Sequence, residues 1–134
     1  MVASIFVCYL IAASAGTAKD PPILDIQHPT IVAFFTPVTQ KELNDGGTNE
    51  ALADFQYYAK QVRQPLKKAG IDFREVYSHS FRIRLGTRIT IFHPREGVGY
   101  YLVSPSKKPR VEYGVLTDSD LLQIANAYFG VTSK

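Results

Sequence analysis

The other predicted elements are placed around one stretch of the sequence, Thr30-Ile31-Val32-Ala33-Phe34-Phe35-Thr36-Pro37-Val38-Thr39-Gln40-Lys41-Glu42. Its first six residues are mostly β-branched, apolar or aromatic, which is typical of a buried strand. Thr36-Pro37 follows at once and predicts that the strand passes into a loop. In open α/β sheets, binding sites form at the carboxyl ends of the strands. We therefore expect the loop from Thr36 to Glu42 to lie at the edge of a sheet where a site is built.

The residues that follow this loop predict a helix and then a second strand. Apolar residues recur every three to four positions after the turn-rich segment 44–48, as in an amphipathic helix. They are Leu52, Phe55, Ala59, Val62 and Leu66. Thr48 or Asn49 is expected to cap the helix, and Pro65 to kink it or to start a new turn. The alternating segment 71–77 predicts a strand parallel to the first, because a helix connects the two.

The segment 81–92 predicts a β-hairpin with two candidate registers. A two-residue loop, Gly86-Thr87, mixes polar and apolar side chains on each face. A three-residue loop over residues 86–88 pairs Ile83 with Ile91 and gathers the apolar side chains on one face. The second register is the preferred prediction, since it separates the faces.

The last third of the chain predicts a hairpin and a closing helix. Residues 98–104 read as a buried strand, residues 105–109 as a hairpin loop and residues 110–115 as the returning strand. Thr117 begins a capping box, and Gly130 is a helix stop. A short edge strand is also expected before the first long strand, at Ile23-Leu24-Asp25-Ile26.

The beginning of the chain predicts a secretory signal peptide. Residues 2–15 are uncharged and mostly apolar, and about a dozen apolar residues suit a signal peptide better than a membrane span. Ala13-Ser14-Ala15 and Gly16-Thr17-Ala18 are two candidate cleavage sites. We expect a signal peptide over residues 1–18 and a single domain over residues 19–134, in the periplasm or secreted. The alternatives are a buried first element and an uncleaved membrane anchor.

The order strand, helix, strand, hairpin and helix resembles the thioredoxin fold. Two stretches carry the resemblance, residues 34–39 and residues 97–121, which together are 31 of the 134 residues. The resemblance implies an α/β, thioredoxin-like three-layer sandwich, with a central mixed β-sheet flanked by helices. The hairpin over residues 81–92 would be an extra insertion, in a place where this family usually has a helix.

The chain departs from the family where the family's chemistry occurs. The positions of the Cys-x-x-Cys motif read Thr39-Gln40-Lys41-Glu42, and the only cysteine is Cys8. Disulfide exchange needs two thiols, so we expect no thiol-disulfide oxidoreductase activity. The place of the family's cis-proline is taken by Gly99, and we expect a trans peptide bond between Val98 and Gly99.

The first functional hypothesis is an exported, non-catalytic binding module for a protein or peptide partner. Its candidate binding residues are Thr36, Pro37, Val38, Thr39, Glu42, Val98 and Gly99. They would form a groove that captures an extended segment through its backbone. The alternative is a loop whose only role is to connect.

Two further hypotheses remain open. The first is an anion or surface binder acting through the arginines of the hairpin, Arg82, Arg84 and Arg88, although alternating arginines are also typical of the wet face of a sheet. The second is an enzyme with non-thiol chemistry. Its candidate residues are Glu42, Glu75, His79 and His93.

Composition narrows the range of ligands. The formal net charge of +3 permits an acidic partner but is small for a protein that binds nucleic acid, which we do not expect here. His28, His79 and His93 lack the spacing of metal ligands, and no glycine-rich phosphate loop follows a strand. We predict no metal and no cofactor. The oligomeric state is left open, including dimerisation through an exposed edge strand.

Overall fold

The computed structural model describes residues 20–130, which form seven strands and three helices. The strands are β1 (Ile23–Asp25), β2 (Thr30–Phe35), β3 (Asp72–Val76), β4 (Phe81–Leu85), β5 (Arg88–Phe92), β6 (Val98–Ser104) and β7 (Lys107–Tyr113). The helices are α1 (Gln40–Leu43), α2 (Gly46–Lys68) and α3 (Asp118–Phe129). The predicted α/β class is confirmed. The predicted signal peptide, with Cys8, lies outside the described residues, as do residues 19 and 131–134 of the predicted domain.

Strand β2 lies at the centre of a four-stranded mixed sheet with the order β3-β2-β6-β7. It pairs parallel with β3 and antiparallel with β6, and β7 pairs antiparallel with β6. Helix α2 connects the two parallel strands, which confirms the predicted crossover. All six residues of β2 are buried, because other layers cover both faces of the sheet.

Helices α2 and α3 cover one face of this sheet. The core between them takes alternate residues of β2 and the apolar stripes of both helices. Its buried members from these elements are Ile31, Ala33, Phe35, Phe55, Val62, Leu66, Leu121 and Ala125. Although α2 has 23 residues, no helix within residues 20–130 is long and apolar enough to cross a membrane.

A second, three-stranded sheet with the order β1-β4-β5 covers the other face. Its inner side packs on the remaining residues of β2, so that Phe34 lies 5.8 Å from Phe81 and 5.7 Å from Phe92 between ring centroids. The expectation of helices flanking the central sheet is therefore met on one face only, because a sheet forms the third layer. Strand β1 lies at the edge of this sheet, which confirms the predicted short edge strand, and it pairs parallel with β4.

The hairpin over residues 81–92 is confirmed, but its preferred register is wrong. Ile83 pairs with Thr90, and the loop has two residues, Gly86 and Thr87. Gly86 has a φ of 64°, which fits the first central position of a type II′ turn. The twist of this turn matches that of the flanking strands, and turn geometry thus decides the register although it mixes the faces.

Two other boundaries differ from prediction. Helix α2 begins at Gly46, because the carboxylate of Asp45 accepts a hydrogen bond from the amide of Thr48 at 3.2 Å and caps the first turn. Pro65 lies inside this helix, which ends at Lys68, and the predicted kink there stays a prediction. Strand β7 begins at Lys107, so the turn before it is shorter than predicted.

The sequence predicts both ends of α3 but not the short helix α1. The cap of α3 at Thr117 and its left-handed stop at Gly130 are confirmed. Helix α1, with four residues, was not predicted.

Candidate functional site

The predicted site loop leaves β2 at Thr36 and is tied at once to the strand beside it. The amide of Thr36 donates a hydrogen bond to the carbonyl oxygen of Gly97 over 2.7 Å. This bond extends the antiparallel contact of β2 and β6 by one step. It holds the start of the loop against Gly97 and Val98, so the structure brings the two predicted halves of the site together.

The loop then folds into α1 through a capping box between Thr39 and Glu42. The amide of Thr39 donates to Oε1 of Glu42 at 2.9 Å, and the amide of Glu42 donates to Oγ1 of Thr39 at 3.1 Å. The backbone hydrogen bond from Thr39 lowers the pKa of the Glu42 carboxyl, and its side-chain hydrogen bond adds to this. The two residues therefore shape the loop, and Glu42 remains an exposed negative charge.

A cleft of about 390 Å³ lies between this loop and the start of α2. It takes in five of the seven predicted binding residues. They are Thr36, Pro37, Val38, Glu42 and Val98. Asp45, the cap of α2, also lines it, so two carboxylates face the same cleft. Thr39 does not line the cleft and contributes through the capping box.

A second pocket, of about 270 Å³, adjoins the first across Pro37 and Val38. Its other walls are Leu43 of α1, Leu52 and Gln56 of α2, and Tyr77 after β3. Pro37 and Val38 line both cavities and form the wall between them. We call the two cavities together the double groove.

Tyr77 is a fixed wall of the double groove even though 42% of it is exposed. Its hydroxyl donates to Oε1 of Glu75 at 2.8 Å and accepts from Nε2 of Gln56 at 3.2 Å. Its ring meets Phe55 edge to face, with 6.1 Å between centroids. Burial raises the pKa of Tyr77 to about 12, so the phenol stays neutral and keeps donating at physiological pH.

Gly99 lies behind the cleft, and its role is packing. A Cβ atom there would lie 2.5 Å from the carbonyl oxygen of Glu112 and 2.8 Å from Cζ of Phe34. These distances are too short for any side chain. The bond between Val98 and Gly99 is trans, as expected, since residues 20–130 contain no cis peptide bond.

The three predicted anion-binding arginines do not converge. Nε and Nη2 of Arg82 donate to the carbonyl oxygen of Pro21 at 2.9 and 2.7 Å. Arg84 forms an ion pair with Asp25 at 3.2 Å. Arg82 and Arg84 therefore lie on the outer face of the small sheet. Arg88 lies on the inner face of the same sheet and lines a different cavity, near Tyr101.

The candidate residues for non-thiol catalysis either lie on different elements or already form hydrogen bonds and ion pairs with neighbouring side chains. Glu75 forms an ion pair with Arg63 and accepts the hydroxyl of Tyr77. His79 is close enough to contribute weakly to the lowered pKa of Glu42, whereas His93 follows β5. Within residues 20–130, no three of the His, Cys, Asp and Glu side chains are grouped so that they could hold a metal ion.

Sequence reasoning found the loop but missed part of the groove. The helical pattern places Leu52 in the apolar stripe of α2, and nothing in the sequence predicts that Leu43 and Tyr77 line the site. Only the capping-box spacing from Thr39 to Glu42 could have indicated α1, and through it the position of Leu43.

Comparisons with known proteins add no family assignment. A scan of protein-family models found no match to the chain, and a search of curated proteins found no relative. Function is therefore inferred from the geometry of the double groove and the chemistry of its walls.

Proposed function

We propose that this protein is an exported, redox-inactive, thioredoxin-like binding module that captures an extended segment of a protein or peptide. The order of β2, α2, β3, β6, β7 and α3 along the chain supports the thioredoxin-like assignment. So does the single mixed sheet that the four strands form. The residues Thr39 to Glu42 stand in place of the redox motif and build a capping box.

The observation that carries the proposal is the shared wall formed by Pro37 and Val38. These two residues line both cavities, beside the carboxyl end of the central strand. Adjacent side chains of an extended segment point in opposite directions. A segment lying along the wall therefore places one side chain in each cavity.

The walls of the two cavities select different side chains. Glu42 and Asp45 give the first cavity negative charge, which favours Lys or Arg. The second cavity favours an aliphatic side chain, because its lining is mostly apolar and includes Leu43, Leu52 and the ring of Tyr77. The ligand is thus a segment in which basic and apolar residues alternate.

The competing hypotheses find less support in the geometry. Arg82 and Arg84 already bind groups of the N-terminal edge, Pro21 and Asp25, which leaves less of their hydrogen-bonding capacity for an anion. The carboxylate of Glu42 belongs to the capping box, and the carboxylate of Glu75 forms an ion pair with Arg63. The hydroxyls that donate to these carboxylates, those of Thr39 and Tyr77, belong to the capping box and to the fixed wall of the groove.

Peptide binding tests the proposal directly. We expect the full chain to bind a fluorescein-labelled peptide of alternating Lys and Leu, measured by anisotropy, in preference to peptides of alternating Glu and Leu or Lys and Ser. Pro37→Lys should abolish binding, because it places a positive charge on the shared wall, where it repels the basic side chains of the peptide. Equal binding of all three peptides, or none, would overturn the proposal.

Charge selection is tested by Glu42→Gln, with Glu50→Gln as the matched control. Glutamine can retain the capping box, so the loop stays folded while the charge is lost. We expect Glu42→Gln to weaken binding of the Lys-Leu peptide by about two- to fivefold, which is the range for loss of an exposed ion pair. Glu50→Gln, outside the groove, should leave the affinity unchanged. Equal losses in the two variants would refute charge selection.

Export and the lack of redox chemistry are tested separately. The signal peptide over residues 1–18 stays a prediction, and sequencing the N-terminus of the exported protein should find cleavage after Ala15 or Ala18. Protein that retains Met1 inside the cell would contradict export. Insulin reduction by the purified chain should be absent, and measurable activity would contradict the redox-inactive assignment.

A further inference from the structure

Strand β5 is an outer strand of the small sheet and pairs only with β4 among residues 20–130. The two-residue turn determines where its backbone groups point. Leu85 and Arg88 flank the turn and form a hydrogen-bonded pair, and such pairs alternate along antiparallel strands. The backbone groups of Arg88, Thr90 and Phe92 therefore face β4, and those of Ile89 and Ile91 face the open edge.

The same two residues also expose apolar side chains. Ile89 is 48% exposed and Ile91 is 45% exposed, both on the outer face of the small sheet. Folded proteins usually protect such edges, since an apolar strand with free backbone groups recruits other strands. Strand β7 carries Pro109 and several basic residues, and β1 has only three residues and follows two prolines. The middle of β5 has neither form of protection.

We propose that β5 pairs antiparallel with β5 of a second copy of this chain, about a two-fold axis at Thr90. Ile89 of each copy then lies opposite Ile91 of the other, as a hydrogen-bonded pair. Thr90 lies opposite Thr90 of the second copy as a non-hydrogen-bonded pair. This agrees with the backbone groups of Thr90, which face β4. The result is a continuous six-stranded sheet, joined by four backbone hydrogen bonds at its centre.

The side chains of β5 are complementary to themselves in this register. Opposed β-branched residues stabilise a sheet, and the axis creates two such isoleucine pairs. Arg88 lies opposite Phe92 of the second copy, so no like charges meet. The two Arg88 Cα atoms are separated by four residues of strand, about 14 Å, which exceeds the screening length of about 8 Å at physiological salt. This complementarity favours a second copy over an unrelated strand.

The expected dimer is weak, because one strand from each copy forms the contact. Such an interface is at the small end of specific protein contacts, and the monomer and dimer should exchange with concentration. Strand β5 belongs to the other sheet, and none of its residues lines either cavity of the double groove. The proposal therefore does not depend on the peptide-binding function.

Site-specific crosslinking tests the register. In the full chain with Cys8→Ser, Thr90→Cys should form a disulfide-linked dimer under mild oxidation, because the two residues 90 face each other. Arg88→Cys is the matched control, since its two copies would lie about 14 Å apart and cannot form a disulfide. Crosslinking of both variants to the same extent, or of neither, overturns the proposed pairing.

Sedimentation of the uncrosslinked chain tests the interface itself. We expect concentration-dependent dimerisation that Ile91→Lys weakens about tenfold or more, since each of two isoleucine pairs is lost. Ile23→Lys is the matched control, because Ile23 is also exposed on the outer face but lies in β1. It should leave dimerisation unchanged. A parent chain that stays monomeric at all concentrations, or equal loss in the two variants, overturns the proposal.

Discussion

Gly99 lies directly opposite Phe34 in the antiparallel pair of β6 and β2, and the ring of Phe34 occupies the space that a side chain on residue 99 would need. A methyl group there would lie 2.8 Å from Cζ of Phe34 and 2.5 Å from the carbonyl oxygen of Glu112. We predict that Gly99→Ala lowers the free energy of unfolding by about 1–3 kcal/mol, the usual cost of overpacking a core. Urea denaturation measures this change.

Gly97→Ala is the matched control for this prediction. A Cβ atom on Gly97 would lie 3.1 Å from Oγ1 of Thr36, which is a side-chain atom that can move. The cost should therefore be clearly smaller than at Gly99. Similar losses at the two positions would show that backbone freedom, and not the contact with Phe34, is what residue 99 requires.

Gly86 should be the most sensitive residue of the β4–β5 turn. Its φ of 64° is in the left-handed region, which costs an L-residue roughly 1–2 kcal/mol. Gly86→Ala should lower the free energy of unfolding by about this amount. Gly47→Ala, in the first turn of α2, should be neutral or stabilising, since alanine favours helix. Thermal unfolding of both variants distinguishes backbone strain from a general effect of adding a methyl group.

Helix α1 should lose its cap in acid. Hydrogen bonds from Thr39 hold the pKa of Glu42 below its ordinary 4.5. A carboxyl with a lower pKa in the folded chain stabilises the fold above its unfolded pKa, and this contribution is lost as the pH falls through the folded value. The amide resonance of Thr39 should therefore shift as the pH falls below about 4.5.

The control variants separate the cap from general acid effects. Glu42→Gln should remove the acid-dependent shift of the Thr39 amide, because no carboxyl remains to titrate there. Glu50→Gln should retain it. A Thr39 amide in the parent chain that does not respond to acid would refute the role of the capping box.

Tyr77 should make the fold sensitive to alkali. Burial raises its pKa from 10.0 to about 12, so the neutral phenol is favoured in the folded chain. Its contribution to stability is complete below pH 10 and is lost as the pH rises from 10 towards 12. Tyr77→Phe should reduce the alkaline loss of stability, measured by urea denaturation at increasing pH.

Tyr57→Phe is the matched control, since 58% of Tyr57 is exposed on α2. It should leave the alkaline loss of stability close to that of the parent chain. If Tyr77→Phe and Tyr57→Phe have the same effect, the pocket around Tyr77 does not determine the response to alkali.

Elements with strong local signals could be predicted from the sequence. The bounds of β2 and β6 agree with their apolar runs, and the cap at Thr117 and the stop at Gly130 determine α3. Each of these features depends on residues close together in the chain. Local chemistry was therefore sufficient to predict them.

The hairpin register could not be predicted from hydrophobic pattern alone. Separation of faces favoured pairing Ile83 with Ile91, but the turn at Gly86 pairs Ile83 with Thr90. The pattern misled because Ile89 and Ile91 remain exposed on the outer face, where an apolar residue was not expected. Turn geometry was the stronger constraint.

The candidate site was predicted only where the chain itself brings residues together. The loop from Thr36 to Val38 and its neighbour Val98 follow from the pairing of β2 with β6. The apolar pocket also needs Leu52 and Tyr77, which belong to different elements. Their meeting depends on how α2 lies across the sheet, and no local pattern encodes that arrangement.

Successive side chains of β2 point to opposite faces of the central sheet, so this one strand belongs to both hydrophobic cores. Phe35 packs under the helices, and Phe34, its immediate neighbour, packs under the small sheet. Neither core can open at β2 without exposing the other. The amide protons of Val32 and Ala33 should therefore exchange with solvent only through global unfolding, and the two layers should melt as a single cooperative unit.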